Sequence, residues 1–177
     1  TQECFIEHVG IPTLPAVRMA AEALKELGMH REGVQLIVSG GIRSGADVAK
    51  AIALGADAVS IGTAALIALG DNNPDLEEEY NKLGTTAGFY DEWQAGDDPA
   101  GITTQDEKLA ARLDPKKGGE KLANYLKVLT LEAQTLARAC GKSHIRNLEP
   151  EDLNALTLEA SAMAKVPLAG TDWIPGK

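Results

Sequence analysis

The chain has 177 residues, of which 44% are hydrophobic and 24% are charged, and its formal net charge at pH 7 is −9. This composition allows a packed core and excludes a disordered tail, and the acidic balance argues against nucleic-acid binding, which requires clustered Lys and Arg. No apolar run reaches the about 18 residues of a membrane span, and two cysteines make neither a disulfide framework nor a metal-ligand pair. We therefore expect a cytoplasmic protein that contacts neither a membrane nor a nucleic acid.

The first predicted element is an amphipathic helix. Pro15 suits the first turn of a helix, and Thr13 is the predicted cap. Met19 and Leu24 belong to the predicted buried face, and Gly28 ends the helix. We expect this helix to pack on the outside of a sheet.

Two short apolar runs, at residues 36–38 and 58–61, predict two parallel strands. Each run is bounded by turn residues and is followed by a helical pattern, at 46–54 and at 64–69. Such runs are typical of strands that are buried on both faces of a parallel sheet. Asp57, just before the second strand, is predicted to have a structural role.

Each predicted strand ends in a glycine turn, and these turns are the predicted binding site. Glycines let backbone N–H groups approach a ligand closely, and helix N-termini favour anions. In a (β/α)8 barrel the loops after strands seven and eight commonly bind phosphate. The Arg43 side chain adds a cation that can donate two hydrogen bonds to phosphate oxygens. The alternative is that the glycines only permit tight turns. The predicted phosphate-binding residues are Ser39, Gly40, Gly41, Ile42, Arg43, Gly62 and Thr63.

The second half of the chain is predicted to be mostly helical. A short acidic helix is predicted at 75–83. The loop at 84–101 carries Phe89, Tyr90 and Trp93; such a loop is typical of a lid or a partner surface, but we expect its aromatic residues to pin it to the barrel. A further helix is predicted from Thr103 or Thr104 to Arg112.

The longest predicted helix spans residues 119–140, after a break at Asp114-Pro115. Its apolar residues recur every three or four positions, and Cys140 is predicted to be an inert buried thiol. A last helix is predicted to start within 148–152, with Leu156 facing inward. The tail at 166–177 is predicted to be an extended arm.

The chain resembles the last two strand-loop units of FMN-dependent (β/α)8 barrels, and most of all the synthase domain of the glutamate synthase large chain. The resemblance is closest to the short large subunits similar to N-methylglutamate synthase. The segments that carry it are VSGGIRSGADVAKAIALGADAVSIGTAALIALG, FIEHVGIPT near the start, PAGITTQDEKLAARLD at 99–114, and residues 141–156.

The resemblance implies an FMN oxidoreductase in which ammonia or methylamine condenses with 2-oxoglutarate and the imine is reduced. It implies that the loops after strands seven and eight hold the FMN phosphate, at the residues named above. The chain then starts in the loop after strand six and needs the N-terminal barrel half, with amidotransferase-type and other glutamate-synthase-like subunits as further partners. Catalytic residues are not identified, since groups that contact the flavin ring come mostly from the first six strands.

The predicted fold is therefore α/β: the C-terminal portion of a (β/α)8 TIM barrel, strands 7 and 8, at residues 1–70, with a helical extension at 71–177. The chain departs from the family pattern in one respect. Glutamate synthases carry three spaced cysteines for an iron–sulfur cluster after the GTA segment, whereas residues 71–98 contain no cysteine. Such clusters need thiolates, so we expect no iron–sulfur cluster from this chain's own Cys4 and Cys140 and no other metal site.

Two alternatives to the flavin enzyme remain at the level of sequence. The same glycine turns occur in nucleotide- or sugar-phosphate-binding barrels such as inosine monophosphate dehydrogenase. The chain is, in the other alternative, a non-catalytic assembly subunit that keeps the fold. Flavin absorbance separates the first alternative, and turnover in the complete complex separates the second.

Overall fold

The computed structural model describes residues 8–30 and 33–176, which form two compact units. Residues 62–127 make up one, called here the inserted unit. The residues up to 61, together with 128–177, make up the other, called the strand unit. The boundary at residue 70 stays a prediction.

Regular elements follow in chain order. They are Thr13–Glu26 (α1), Ile37–Ser39 (β1), Gly45–Ala53 (α2), Ala58–Ser60 (β2), Thr63–Leu69 (α3), Glu77–Lys82 (α4), Glu107–Ala110 (α5), Pro115–Ala139 (α6) and Leu158–Ala164 (α7). Short 3-10 helices lie at Pro74–Leu76, Ile145–Asn147 and Pro150–Asp152. None of the helices described is both long and apolar enough to cross a membrane.

The two predicted parallel strands are confirmed, and β1 pairs with β2 in the register Ile37↔Ala58, Val38↔Val59 and Ser39↔Ser60. Both strands therefore end at the same edge of the sheet. The prediction that they are buried on both faces is wrong for the described chain, because Val38 is 5% exposed but Ile37 is 62% exposed. Among the described residues, helices α1 and α2 contact the two strands, but they do not cover the side chain of Ile37.

Helix α2 buries the side that the sequence predicted, with Val48 and Ile52 in the core. Helix α1 differs from its prediction. It begins at Thr13 itself with Pro12 in the cap position, and it buries Val17, Arg18 and Ala21, whereas Met19 is 53% exposed. The prediction that the face with Met19 is buried was wrong, because the helix carries apolar residues on more than one side.

Helix α6 is longer than predicted at its start. The predicted break lies directly before it, after the end of α5 at Ala110, and Pro115 occupies the first position of α6, where a missing N–H costs nothing. The Asp114 carboxylate accepts the amides of Lys116 and Lys117 at 3.1 and 3.2 Å. Cys140, which follows the last residue of the helix, is exposed, so the prediction of a buried thiol is wrong.

The C-terminal region also differs from its prediction. The last helix, α7, starts at Leu158 after the capping residue Thr157, and Leu156 is 88% exposed. The tail is not an extended arm. It folds back as a parallel bridge between Ala155 and Leu168, and the Ser161 hydroxyl donates to the Val166 carbonyl at 2.7 Å.

Two of the three aromatic residues of the loop hold it to other parts of the inserted unit, and that they pin it to the barrel stays a prediction. Tyr90 is buried, and the Trp93 indole donates to Asp71 at 2.6 Å, whereas Phe89 is 79% exposed. The predicted helix from Thr103 is reduced to the short α5. Its first residues are held elsewhere, because the Thr104 hydroxyl donates to the Gly96 carbonyl.

Candidate functional site: the glycine turn after β1

The turn after β1 requires glycine at two consecutive positions. Gly40 has φ +117° and Gly41 has φ +71°, a region of backbone conformation that other L-residues rarely adopt. Ile42 is buried and fixes the end of the turn, while Ser39, Gly40, Gly41 and Arg43 are exposed. The turn is thus a rigid loop with an accessible backbone.

The N-terminus of α2 is capped by the chain's own side chains. The Asp47 carboxylate accepts the backbone amides of Arg43 and Ser44, each at 3.0 Å, and the Asp47 amide donates to the Ser44 hydroxyl oxygen at 3.3 Å. This reciprocal arrangement is a capping box. Partial burial pushes the pKa of Asp47 upward, but these hydrogen bonds outweigh burial and hold the pKa below its usual range.

A second carboxylate reaches the same helix end from α6. Glu132 accepts the Gly45 amide at 2.7 Å. A Cβ atom on Gly45 would lie 2.3 Å from the Leu129 carbonyl oxygen and 2.6 Å from the Ala133 amide nitrogen. The backbone of α6 therefore packs directly on the first residue of α2. The sequence showed the local Ser44–Asp47 pair, but no local signal points to a partner 87 residues away.

These contacts change which donors are available to a ligand. The sequence prediction relied on unpaired amides at the start of the helix, whereas the amides of Arg43, Ser44 and Gly45 donate to carboxylates. The accessible part of the loop is the preceding glycine pair. A cavity of about 200 Å³ lies beside it, lined by Thr13, Leu14, Val17, Gly40, Gly41, Ile42, Asp47, Lys50, Ala51 and Leu54.

The other predicted binding residues belong to the inserted unit. Thr63 is the first residue of α3, and Gly62 occupies the cap position before it. The Gly62 carbonyl accepts the Ala65 amide at 2.8 Å, which starts this helix of seven residues. That Gly62 and Thr63 form one site with the turn after β1 stays a prediction.

The opposite end of the sheet is held by Asp57, whose structural role is confirmed. Its side chain is 2% exposed, and it accepts the Leu36 amide at 2.9 Å and the Arg146 guanidinium at 3.1 Å. The carboxylate thereby joins the segment before β1 to the 3-10 helix Ile145–Asn147. Within the described ranges, no group of three or more His, Cys, Asp or Glu side chains is arranged to hold a metal ion.

A family model described as a conserved region in glutamate synthase matches residues 1–73 and 94–143. Over its full 177 residues the chain is 73% identical to a glutamate synthase large subunit-like protein of Rhizobium meliloti, of which it covers 40%. Over 144 residues, 81% of the chain, it is 42% identical to an archaeal glutamate synthase (NADPH) of Methanocaldococcus jannaschii, of which it covers 25%.

A third relative matches over a shorter stretch. It is an inosine-5′-monophosphate dehydrogenase of Thermoplasma acidophilum, 44% identical over 59 residues, which are 33% of the chain and 11% of that protein. No solved structure matches the chain. The chain thus spans less than half the length of these curated relatives. The family model covers more than half of the chain, and the chain belongs to the glutamate synthase family of oxidoreductases.

Proposed function

We propose that this chain is the FMN-binding part of a glutamate-synthase-like oxidoreductase that reductively aminates 2-oxoglutarate, with ammonia or methylamine as the amine. The observation that carries the proposal is the glycine turn at Gly40-Gly41. This turn directly follows β1, and β1 pairs in parallel register with β2. Loops at this edge of a barrel sheet commonly bind phosphate. Membership of the glutamate synthase family supports FMN as the phosphate ligand.

The residues of the turn fit a phosphate group, with a restriction. Backbone at Gly40, Gly41 and Ile42 borders the cavity, and the Arg43 side chain is exposed at its end. Because Asp47 accepts the amides of Arg43 and Ser44 and Glu132 accepts the Gly45 amide, we assign the phosphate to the glycine pair and the Arg43 guanidinium, with Ser39 beside them. Gly62 and Thr63 are proposed as the remaining phosphate-binding residues. Bound FMN would supply the hydride for the reduction.

The remaining part of the barrel is the first proposed partner. A cavity of about 270 Å³ runs along β1 and α1, lined by Ile11, Thr13, Ala16, Val17, Ala20, Leu36, Ile37, Val38 and Ser39. Its lining is largely apolar, and Ile37 is 62% exposed there. Closing a barrel takes eight strands, and we propose that the other strands cover this surface. Amidotransferase-type and other glutamate-synthase-like subunits are proposed to deliver the amine in the cytoplasm.

The test is made on the complete subunit, purified with co-expressed partner subunits. Flavin absorbance, FMN released on denaturation, and glutamate or N-methylglutamate formed from 2-oxoglutarate are the expected results. Arg43→Ala should lower FMN occupancy at least tenfold at limiting FMN, because a charge-assisted contact to phosphate is lost. Arg43→Lys should keep part of it, and Lys25→Ala, which changes an exposed charge in the last turn of α1, should keep all of it.

A second candidate is a nucleotide- or sugar-phosphate-binding enzyme, favoured by the match to an inosine-5′-monophosphate dehydrogenase. Mass spectrometry of the extracted ligand separates the two. A colourless protein that releases a nucleotide monophosphate would replace the flavin proposal. Flavin without turnover in the full complex would instead identify an assembly subunit.

A further inference from the structure

The inserted unit contains two carboxylates that are almost excluded from solvent. Asp71 is 2% exposed and Asp98 is 0% exposed. Both lie within the regions that match the glutamate synthase model, but the residues between them, 74–93, do not match it. This unmatched segment supplies Tyr80, Tyr90 and Trp93, which surround the two carboxylates.

Asp98 is saturated with hydrogen-bond donors. Its Oδ1 accepts the Ala100 amide at 2.9 Å and the Tyr80 hydroxyl at 3.4 Å. Its Oδ2 accepts the Ile102 amide at 2.9 Å and the Thr103 amide at 3.0 Å. One side chain therefore organises the whole turn that follows it.

Asp71 is held in a similar way. Its Oδ1 accepts the Asn72 amide at 2.7 Å, and its Oδ2 accepts the Trp93 indole N–H at 2.6 Å. Burial raises the pKa of Asp71, and the nearby charge of Asp98 raises it further. All four carboxylate oxygens of Asp71 and Asp98 thus accept donors from the protein itself.

Asn72 binds the backbone of the unmatched segment next to these carboxylates. Its side-chain amide donates to the Tyr90 carbonyl at 3.0 Å, and its Oδ1 accepts the amides of Gly88 and Tyr90 at 2.9 Å. The rings of Tyr80 and Tyr90 pack with their centroids 5.5 Å apart. Burial, followed by the charges of Asp98 and Asp71, raises the pKa of Tyr80 above its usual range, so its hydroxyl stays a proton donor.

We propose that this network of Asp71, Asn72, Tyr80, Tyr90, Trp93 and Asp98 takes the place of the iron–sulfur cluster that the family resemblance implies. The residues present do not fit a cluster. Clusters need several thiolates, and the chain has two cysteines, of which Cys140 lies outside the inserted unit and Cys4 lies outside the described residues. The carboxylate oxygens of Asp71 and Asp98 are already committed to donors of the protein, and the Tyr80 and Tyr90 rings pack against each other beside them.

The consequence rests on the proposed function. Reducing equivalents reach the FMN by a route that uses no cluster ligated by this segment. Residues 74–93 then act as an internal plug. Hydrogen bonds and aromatic packing of this plug stabilise the inserted unit in place of metal–thiolate bonds.

The experiment uses the complete subunit with its partner subunits. Iron per subunit, the EPR spectrum of the oxidised protein and the melting temperature are measured for the wild type and for Tyr80→Phe, Asp98→Asn and Asp98→Ala. We expect the melting temperature to fall by about 4 °C or more in each variant, as loss of buried hydrogen bonds predicts. Iron content and the EPR spectrum should equal those of the wild type. Phe89→Ala, a change at an exposed ring of the same segment, should leave all three unchanged.

A further variant, Asp98→Cys, introduces a thiol at this position and should bind no additional iron. Iron lost from any folded variant, iron gained by Asp98→Cys, or unchanged melting temperatures in all variants would overturn the proposal. A protein without flavin would overturn the proposed function instead, because iron content and the EPR spectrum of the oxidised protein do not depend on flavin and each melting temperature is compared with that of the wild type in the same flavin state.

Discussion

At the scale of single residues, the most restrictive position is Gly45. Its φ is not positive, so backbone conformation alone would accept alanine, but the backbone of α6 leaves no room for a Cβ atom. Gly45→Ala is expected to lower the free energy of unfolding by about 1–3 kcal/mol, the usual cost of overpacking. Urea unfolding of the complete subunit measures this.

Gly119 provides the matched control for that substitution. It is also a helical glycine, in the first turns of α6, but a Cβ atom there would meet nothing within 4 Å. Gly119→Ala should raise the free energy of unfolding by about 0.5–1 kcal/mol, because glycine loses more chain entropy on folding than alanine. Equal effects of the two substitutions would contradict the backbone contact between Gly45 and α6.

The capping box at Ser44 gives a second prediction at this scale. Ser44→Ala removes the acceptor for the Asp47 amide and should cost about 1 kcal/mol of stability. Ser44→Asn keeps a capping acceptor and should cost much less. The midpoint of urea unfolding distinguishes the two variants, and a loss of the same size in both would argue against capping by this side chain.

At the scale of elements, Asp57 joins three segments of the strand unit. Asp57→Ala removes the acceptor of the Leu36 amide as well as the partner of Arg146. Arg146→Ala removes the ion pair, from a side chain that is 50% exposed, and leaves the acceptor of the Leu36 amide in place. We expect Asp57→Ala to cost about 1–3 kcal/mol and Arg146→Ala to cost less, because a partly exposed ion pair contributes little. Thermal unfolding compares them, and the reverse order would be inconsistent with this account.

How far the sequence predicted the elements depends on the range of the interactions involved. The strands around Val38 and Val59 and the helix between them were predicted within about one residue, because a short apolar run and a local capping pair specify them. The break between α5 and α6 was predicted, but α6 was expected to start at residue 119 and starts at Pro115, because Pro115 was assigned only to the break although proline suits the first position of a helix. Cys140 and Leu156 were assigned to the core from helical spacing alone, and spacing does not show whether another element covers that face.

The site shows the same division. The glycine turn at Gly40-Gly41 is visible in the sequence because only glycine adopts its backbone angles readily. The hydrogen bond from the Gly45 amide to Glu132 is not visible in the sequence, since that contact depends on how a distant helix packs. Of the network around Asp98, the sequence indicated only the departure from the cysteine pattern of the family. It did not indicate the tyrosine and tryptophan residues of that network.

At the scale of the whole molecule, each unit holds one partly buried carboxylate with a shifted pKa, and these two carboxylates are expected to respond to pH in opposite directions. The folded-state pKa of Asp71, in the inserted unit, is raised by burial. Its contribution to stability is therefore full below about pH 4, the ordinary pKa of aspartate, and is lost as the pH rises through the raised value. Asp47, in the strand unit, has a lowered pKa, so its contribution is present above about pH 4 and is lost as the pH falls through the lowered value.

Hydrogen exchange of the complete subunit, followed peptide by peptide, measures this difference. Raising the pH from about 4 to 7 should weaken the inserted unit after correction for the intrinsic exchange rate. Asp71→Asn, which cannot ionise, should reduce that weakening. Asp47→Asn should reduce the loss of protection of α2 in stronger acid. An unchanged pH profile in Asp71→Asn would show that another group is responsible.

The open side of β1 has a practical consequence for handling the protein. An unpaired strand edge beside an exposed isoleucine is a template for strand addition by another chain. When residues 1–177 are produced alone, we expect oligomers that grow with concentration, detectable by light scattering. A charged residue in place of Ile37 should keep such a preparation monodisperse, at the expense of its ability to bind the proposed remaining strands of the barrel.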